Sequence, residues 1–341
     1  MSPAGAALVS GLVVLGMVVV LPLGLRLLGS DVVPAPRRAA WPLAGLAGAA
    51  SLVVPRGTAS ALLALVFAVA TAVLALAGAR LAVRTVRDVR AGPVGAAVLA
   101  ARAATVTALV APAVGASALV AERAGWGLLG FSGTYLALTV PHMLYAGFGA
   151  ALIAGTVARL AATDGLAVAG AWGVPLGTVL VLVGYFVGDV AELVGAGVLT
   201  LALWATAVAA VRSLAHPTGT PYPHGAPSVH GRATVDPGSP GSSAGSRALV
   251  GTGAVVVGLS MLLALWWAGG EALGFAHPSL DAMAATHGVA NALGFVLCTL
   301  LGLRVLADRP AASGEAGDAG PDGAGQHMRR GPGRAREGSA A

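Results

Sequence analysis

Long apolar runs without charged residues recur along this chain of 341 residues. An α-helix rises about 1.5 Å per residue, so about 20 such residues cross the roughly 30 Å of hydrocarbon in a bilayer. Continuous apolar runs exclude a transmembrane β-barrel, whose strands alternate apolar and polar residues. Because 57% of the residues are hydrophobic and only 10% are charged, we predict an all-α, polytopic transmembrane helix bundle.

The apolar runs predict about nine transmembrane helices in two groups. The first seven occupy residues 1–211, and the last two occupy residues 248–306. Residues 212–247 and 307–341 lack apolar periodicity and are rich in small and polar residues, so we predict a disordered cytoplasmic loop and a disordered cytoplasmic tail. The predicted spans are residues 6–28, 39–54, 58–79, 93–120, 130–158, 165–187, 190–211, 248–269 and 283–306.

The placement of arginine predicts how the chain is oriented in the membrane. If the N-terminus lies outside, the cytoplasmic segments contain seventeen of the twenty arginines, all except Arg56, Arg102 and Arg123. Positive loops stay in the cytoplasm, so we predict an outside N-terminus and a cytoplasmic C-terminus. The second span is the weakest, because Pro42 lies near its start and Pro55 closes it. If that span is re-entrant, the N-terminus moves inside.

The basic balance of the chain does not predict a nucleic-acid partner. The pI of about 10.6 comes from arginines in loops, where they set topology and meet anionic lipid head groups. We therefore expect the lipid bilayer as a partner and no nucleic acid. Small residues are frequent within the spans, and spacings such as Gly184 with Gly188 predict close packing between helices.

Two histidines, His142 and His287, lie inside the apolar runs of the fifth and ninth spans. An ionisable group within a bilayer is costly unless it is paired or wetted, so such a residue usually marks a functional site. His142 is predicted about 18 Å inside the outer end of its span. Asn291 follows His287 by one helical turn and is predicted at a similar depth, so the two polar strips are expected to face each other.

Carboxylates gather on the same predicted side of the membrane. Asp189 and Glu192 are three residues apart and share a face if one helix continues through both. Glu122, Glu271 and Asp281 lie in the same outer half, where basic partners other than Arg102 are few. We predict an intramembrane polar site formed by His142, Tyr145, Asp189, Glu192, His287 and Asn291.

Such a site can hold a cation, bind a metal through His142 and His287, or relay protons. Each residue also has a structural alternative. The carboxylates can act as solvated caps at helix ends, and the histidines and Asn291 can form hydrogen bonds that join helices. No cofactor is required by the sequence, while a metal or a haem is compatible with two histidines.

The segments around these residues resemble the YndJ-like family of bacterial integral membrane proteins. In the fifth span the family pattern is His-Phe-His-Tyr-Ala-Gly-Phe, which this chain matches at His142, Tyr145 and residues 146–148, with Leu144 at the second His position. If that second His is a ligand or base in relatives, its loss alters the activity here. The resemblance implies a multi-pass protein of the bacterial cytoplasmic membrane, and the family name often includes the word transporter. The resembling segments are residues 130–148, 188–196 and 286–295.

Three functional hypotheses follow. The first is a transporter or permease for an unknown small molecule or ion, in which the polar site couples transport to a proton or cation. The second is a haem- or metal-binding membrane enzyme or redox protein that uses His142 and His287. The third is a non-catalytic scaffold or sensor. Hydrolase, zinc protease, ATPase and thiol-redox motifs are absent from the sequence, so an enzyme is the less expected class.

Overall fold

A computed structural model of the protein describes residues 1–215 and 240–307, and this part of the chain contains nine helices and no β-strand. Eight of the nine are long and apolar enough to cross a membrane. The protein is therefore a multi-pass helical membrane protein, as predicted. The helices are α1 Pro3–Leu25, α2 Ala35–Val53, α3 Thr58–Ala91, α4 Ala96–Ala124, α5 Thr134–Leu160, α6 Gly165–Val187, α7 Asp189–Ala215, α8 Pro240–Leu273 and α9 Leu280–Leu306.

Helix α2 corresponds to the weak second span and is the one helix of the nine that falls outside the group of eight. It has 19 residues with Pro42 in its interior, and it packs against α1 and α3. The Trp41 ring meets the Phe67 ring of α3 edge-on, with centroids 6.1 Å apart. Just after its C-terminus, the carbonyl of Val54 accepts a hydrogen bond from Arg123 Nη2 at 2.7 Å. The helix therefore runs along the bundle between α1 and α3.

The first and last helices are parallel. At one end of the bundle, the backbone N–H of Ser2 donates to the Asp281 carboxylate at 2.9 Å. At the other end, Arg304 Nη1 donates to the carbonyl of Arg26 at 3.0 Å. The described chain therefore begins and ends at opposite ends of the bundle. We call the end with Ser2 and Asp281 the N-terminal end and the other the arginine-rich end; their assignment to outside and cytoplasm stays a prediction.

Several helices extend beyond the predicted spans. Helix α3 continues for twelve residues past 79, to Ala91. Residues 212–215 belong to α7 and residues 240–247 to α8, so the predicted loop 212–247 was drawn too wide. A helix need not stop at the hydrocarbon boundary, because its backbone hydrogen bonds are internal and persist in water. Residues 216–239 and 308–341, which hold the rest of the predicted loop and tail, lie outside the described residues.

Small residues bring α6 and α7 into close contact as an antiparallel pair. A Cβ atom on Gly177 would lie 2.6 Å from the Cα of Leu199, and one on Gly184 would lie 2.5 Å from the Cα of Glu192. The predicted packing role is confirmed for Gly184. Gly188 instead forms the turn between the two helices with φ of 133°, a conformation that residues with a side chain rarely adopt.

Three of the parallel helices change locally to π-helix, which the sequence did not predict. The π-helical segments are Gly16–Val20 in α1, Met143–Ala150 in α5, and Ala284–Gly288 with Ala290–Leu297 in α9. The segments of the three helices pack against one another in the core. Such widened turns are frequent at functional sites. Two of the three helices carry the histidines.

Candidate functional site

His287, Asn291 and Ser260 form a closed hydrogen-bonded network between α8 and α9. The Nδ1–H of His287 donates to the backbone carbonyl of Ser260 at 2.8 Å. Asn291 Nδ2 lies 3.0 Å from Nε2 and 3.2 Å from Nδ1 of His287, and the Ser260 hydroxyl donates to Asn291 Oδ1 at 2.8 Å. These partners assign the ring its neutral Nδ1–H tautomer. Each polar side chain is satisfied inside the bundle, as the membrane interior requires.

His142 lies nearby on α5, immediately before the π-helical segment of that helix. Its Nδ1–H donates to the carbonyl of Leu138, one turn earlier, at 2.7 Å. Its Nε2 has no hydrogen-bond partner among the described residues, and the side chain is exposed. The π-helical segment that follows His142 packs against the segment Ala290–Leu297 of α9. The structure therefore brings the two histidines to one region without a direct hydrogen bond between them.

The depth of His142 differs from the prediction. Helix α5 begins at Thr134, because residues 128–133 form a turn with an isolated bridge between Leu128 and Phe131. His142 comes eight residues after Thr134, so it lies about 12 Å into the helix rather than about 18 Å.

Tyr145 and Leu144 face α1 and not the histidine network. The buried Tyr145 hydroxyl donates to the carbonyl of Leu12 at 2.8 Å. Leu144 is fully buried, and a Cβ atom on Gly16 of α1 would lie 2.8 Å from its Cδ1. Tyr145 thus joins two helices. The position of the family's second His faces α1 in this chain, away from the His142 side chain.

Asp189 and Glu192 lie in the first turn of α7, where the helix dipole favours negative charge. Asp189 is exposed and Glu192 is half-buried. Glu192 lies within electrostatic range of both Asp189 and Glu271. Within residues 1–215 and 240–307, neither Asp189 nor Glu192 forms a hydrogen bond or ion pair with a histidine of the network. We call Asp189, Glu192 and Glu271 the acidic cluster; it lies at the N-terminal end, apart from the network.

Three of the carboxylates have structural partners, and Glu271 of the acidic cluster is one of them, with its Oε1 3.2 Å from Nε2 of His277. The buried Glu122 is ion-paired with Arg56 and with Arg123. The expectation that the outer carboxylates have few basic partners is therefore wrong for Glu122. Asp281 accepts the backbone N–H of Ser2 at the start of α1. Glu122 and Asp281 hold the N-terminal end of the bundle together.

The predicted metal ligands offer a limited donor set. In the described part of the chain, no group of three or more His, Cys, Asp or Glu side chains lies close enough to hold a metal ion. His142 has a free Nε2, whereas Asn291 occupies Nε2 of His287. A metal or haem at this pair would require Asn291 to move away, since an imidazole binds metal through an unprotonated, unoccupied nitrogen.

Ser260 is the member of the network that sequence reasoning missed. It lies in the apolar run of α8, where a Ser side chain commonly bonds to a carbonyl of its own helix and carries no further signal. In this helix its hydroxyl bonds to Asn291 and its carbonyl bonds to His287. Only the packing of α8 against α9 shows that role.

Beyond the network, toward the arginine-rich end, the same face of α9 carries Phe295 and Thr299. Both residues line a cavity of about 10 Å³, together with Thr206 of α7 and Val250 of α8. This volume is about that needed for one water molecule. The Thr299 hydroxyl is buried and has no hydrogen-bond partner among the described residues, so the cavity has a polar group to offer.

Comparison with known proteins identifies a family. Neither the curated proteins nor the solved structures contain a match to this chain. A protein-family model described as YndJ-like protein matches residues 11–223 and 235–295. The matched residues cover most of the chain and include His142, Ser260, His287 and Asn291. The chain therefore belongs to the YndJ-like family.

Proposed function

We propose that the protein is a transporter of the bacterial cytoplasmic membrane that moves protons, alone or in exchange for a small cation. In this proposal His287 carries the proton. The observation that supports it is the network of His287, Asn291 and Ser260, because the amide and hydroxyl groups beside the imidazole can each donate or accept a hydrogen bond.

In the neutral state, Nε2 of His287 accepts a hydrogen bond from the Asn291 amide nitrogen. A protonated ring carries N–H on both nitrogens and needs an acceptor at Nε2. If the side-chain amide of Asn291 flips, its Oδ1 faces that N–H and accepts a hydrogen bond from it. The Ser260 hydroxyl then accepts a hydrogen bond from Asn291 Nδ2. Both ring nitrogens then face a hydrogen-bonding group in either state, which lowers the cost of an unsatisfied group in a membrane.

Three features of the bundle support a small cation as the transported species. The acidic cluster lies at the N-terminal end, where negative charge raises the local concentration of cations. His142, with a free Nε2, lies near the network as a second proton acceptor. On the other side, the cavity beside Phe295 and Thr299 has room for about one water molecule, which suits a proton better than a bulky substrate.

Two other functions compete with this proposal. A haem- or metal-binding redox protein is supported by the proximity of His142 and His287, but it requires Asn291 to leave Nε2. A scaffold or sensor is supported by the complete hydrogen bonding of the network, which specifies helix packing equally well. The transport proposal differs from both in requiring that His287 change protonation state while protons cross the bilayer.

Proton movement into liposomes tests the proposal. The purified full-length protein is reconstituted with an enclosed pH-sensitive dye, and a membrane potential, a sodium gradient or a potassium gradient is imposed. We expect at least one gradient to drive proton movement above that of empty liposomes. His287→Ala should reduce it at least about tenfold, a loss typical of removing a proton-transfer group. His216→Ala, a histidine of the predicted loop, serves as the matched control and should leave the rate unchanged.

Thermal unfolding of each variant separates the outcomes. If no gradient moves protons above the background although the protein is folded, proton transport is wrong. If His287→Ala lowers stability but leaves proton movement intact, His287 is a packing residue and the assignment of the proton site is wrong.

A further inference from the structure

Helix α3 is much longer than the membrane requires. Its 34 residues extend for about 51 Å, against roughly 30 Å of hydrocarbon. It begins at the N-terminal end, where the N–H of Gly57 donates to the carbonyl of Arg123 at 2.9 Å. Arg80 lies about 33 Å along the helix from Thr58, at the hydrocarbon boundary. Arg84 and Arg87 follow at the level of the head groups.

These three arginines form one exposed stripe. Arg80, Arg84 and Arg87 are four and three residues apart, so they share a face of α3. That face is opposite the one that is buried against the bundle at Phe67 and Leu74. In the described part of the chain, none of the three has a hydrogen bond or an ion pair. The nearby Asp88 is already paired with Arg102 of α4 at 2.6 Å.

The stripe borders an open groove of about 310 Å³, a shallow groove between side chains of α3 alone. Leu76 and Val83, both at least half exposed, line the groove with the three arginines and Ala79. Leu76 lies at the depth of the acyl chains, and the guanidinium groups lie at the depth of the phosphates. This order, apolar then cationic along the membrane normal, matches the order of groups in a phospholipid.

We propose that this groove binds an anionic phospholipid of the leaflet at the arginine-rich end. The phosphate oxygens accept hydrogen bonds from two or three of the guanidinium groups, which favour planar, bidentate contacts with phosphate. The acyl chains lie along Leu76. A zwitterionic lipid is bound less tightly because its ammonium group is repelled by the three uncompensated positive charges. This inference is independent of the transport proposal.

Native mass spectrometry of the full-length protein in detergent tests the proposal. Phosphatidylglycerol and phosphatidylcholine are titrated separately against the wild type and against the triple variant Arg80→Gln, Arg84→Gln, Arg87→Gln. A basic residue near an anionic surface strengthens binding roughly fivefold, so we expect the triple variant to bind phosphatidylglycerol about 100-fold more weakly. Phosphatidylcholine binding should be weak in both proteins.

Two further variants test whether lipid binding depends on the α3 stripe and on the apolar part of the groove. Arg329→Gln, Arg330→Gln, Arg334→Gln removes the same charge elsewhere on the chain and should leave phosphatidylglycerol binding unchanged. Leu76→Gln keeps the charge and should weaken phosphatidylglycerol binding while leaving the binding of added inorganic phosphate unaltered.

Three results would overturn the proposal. The first is an equal loss of phosphatidylglycerol in the two triple variants, which indicates general charge attraction. The second is equal binding of the two lipids to the wild type. The third is phosphatidylglycerol binding that is unaffected by Leu76→Gln and is displaced completely by inorganic phosphate, which indicates a site for a soluble anion.

Discussion

Buried polar side chains of this bundle differ in what they bond to. Most threonines, such as Thr178 and Thr206, donate to a carbonyl one turn earlier in their own helix and require nothing from a neighbour. Tyr145 donates to a carbonyl of α1. The network of His287, Asn291 and Ser260 is different, because its members can exchange donor and acceptor roles. Only such a group can accept a proton without losing its hydrogen bonds.

Tyr145→Phe separates a structural bond from the proton site. The substitution removes the hydroxyl that bonds to Leu12 and keeps the ring in place. We expect the free energy of unfolding to fall by about 1 kcal/mol, the net value of a hydrogen bond between helices. Proton movement into liposomes should be unchanged. A large loss of proton movement in a variant of wild-type stability would instead show that Tyr145 has a functional role.

Asn291→Leu tests whether the amide is needed for proton exchange. The leucine fills a similar volume but gives Nε2 of His287 no hydrogen-bond partner, while Ser260 can bond to its own helix. We expect proton movement to fall at least about tenfold with the protein still folded, because the protonated ring then lacks an acceptor. Wild-type proton movement in Asn291→Leu would show that the amide plays no part.

The sequence predicted some members of the site and not others, for a physical reason. His142, His287 and Asn291 are recognisable because strongly polar groups are costly within apolar runs. Ser260 is not recognisable in this way, because a serine hydroxyl can bond within its own helix and therefore occurs in many apolar helices. Tyr145 was placed in the site as a polar residue of the same half of the bundle, but its contact with α1 decides where its hydroxyl bonds. Partners on other helices depend on packing, which spacing along one chain does not reveal.

The antiparallel pair α6 and α7 depends on glycine at its contact surface. Gly177→Val should prevent the close approach, because any Cβ atom there would overlap the backbone of Leu199. We expect a loss of several kcal/mol of stability, typical of overpacking a core, and much less protein in the membrane fraction. Gly197→Ala of α7 is the control, since no atom lies within 4 Å of its added Cβ. If both variants are equally stable, the two helices do not pack through Gly177.

Hydropathy predicted most helices and few of their details. The runs of apolar residues locate eight helices, because length and composition decide whether a segment can cross hydrocarbon. They do not reveal that α3 continues to Ala91 or that α1, α5 and α9 contain π-helical turns. A π-helical turn is a small change in backbone hydrogen bonding, and packing between neighbouring helices determines where it is stable.

The described part of the chain begins and ends at opposite ends of the bundle, and the arginine count predicts which end is cytoplasmic. Single cysteines in a Cys298→Ala background test this orientation in intact cells. We expect Ser132→Cys, in the turn before α5, to react with a membrane-impermeant thiol reagent added outside. Ala91→Cys, at the end of α3, should react only after the cells are opened. The reverse pattern would place the arginine-rich end outside.

The account rests on His287 taking up and releasing a proton within its network. Nitrogen-15 NMR of histidine-labelled protein in lipid bilayers measures this directly, with the His287 signals assigned from a His287→Gln sample. At alkaline pH we predict a proton on Nδ1 and none on Nε2. As the pH falls, Nε2 should become protonated while the protein stays folded, with a simultaneous change in the side-chain amide signal of Asn291. An Nε2 that remains unprotonated until the protein unfolds would contradict the account.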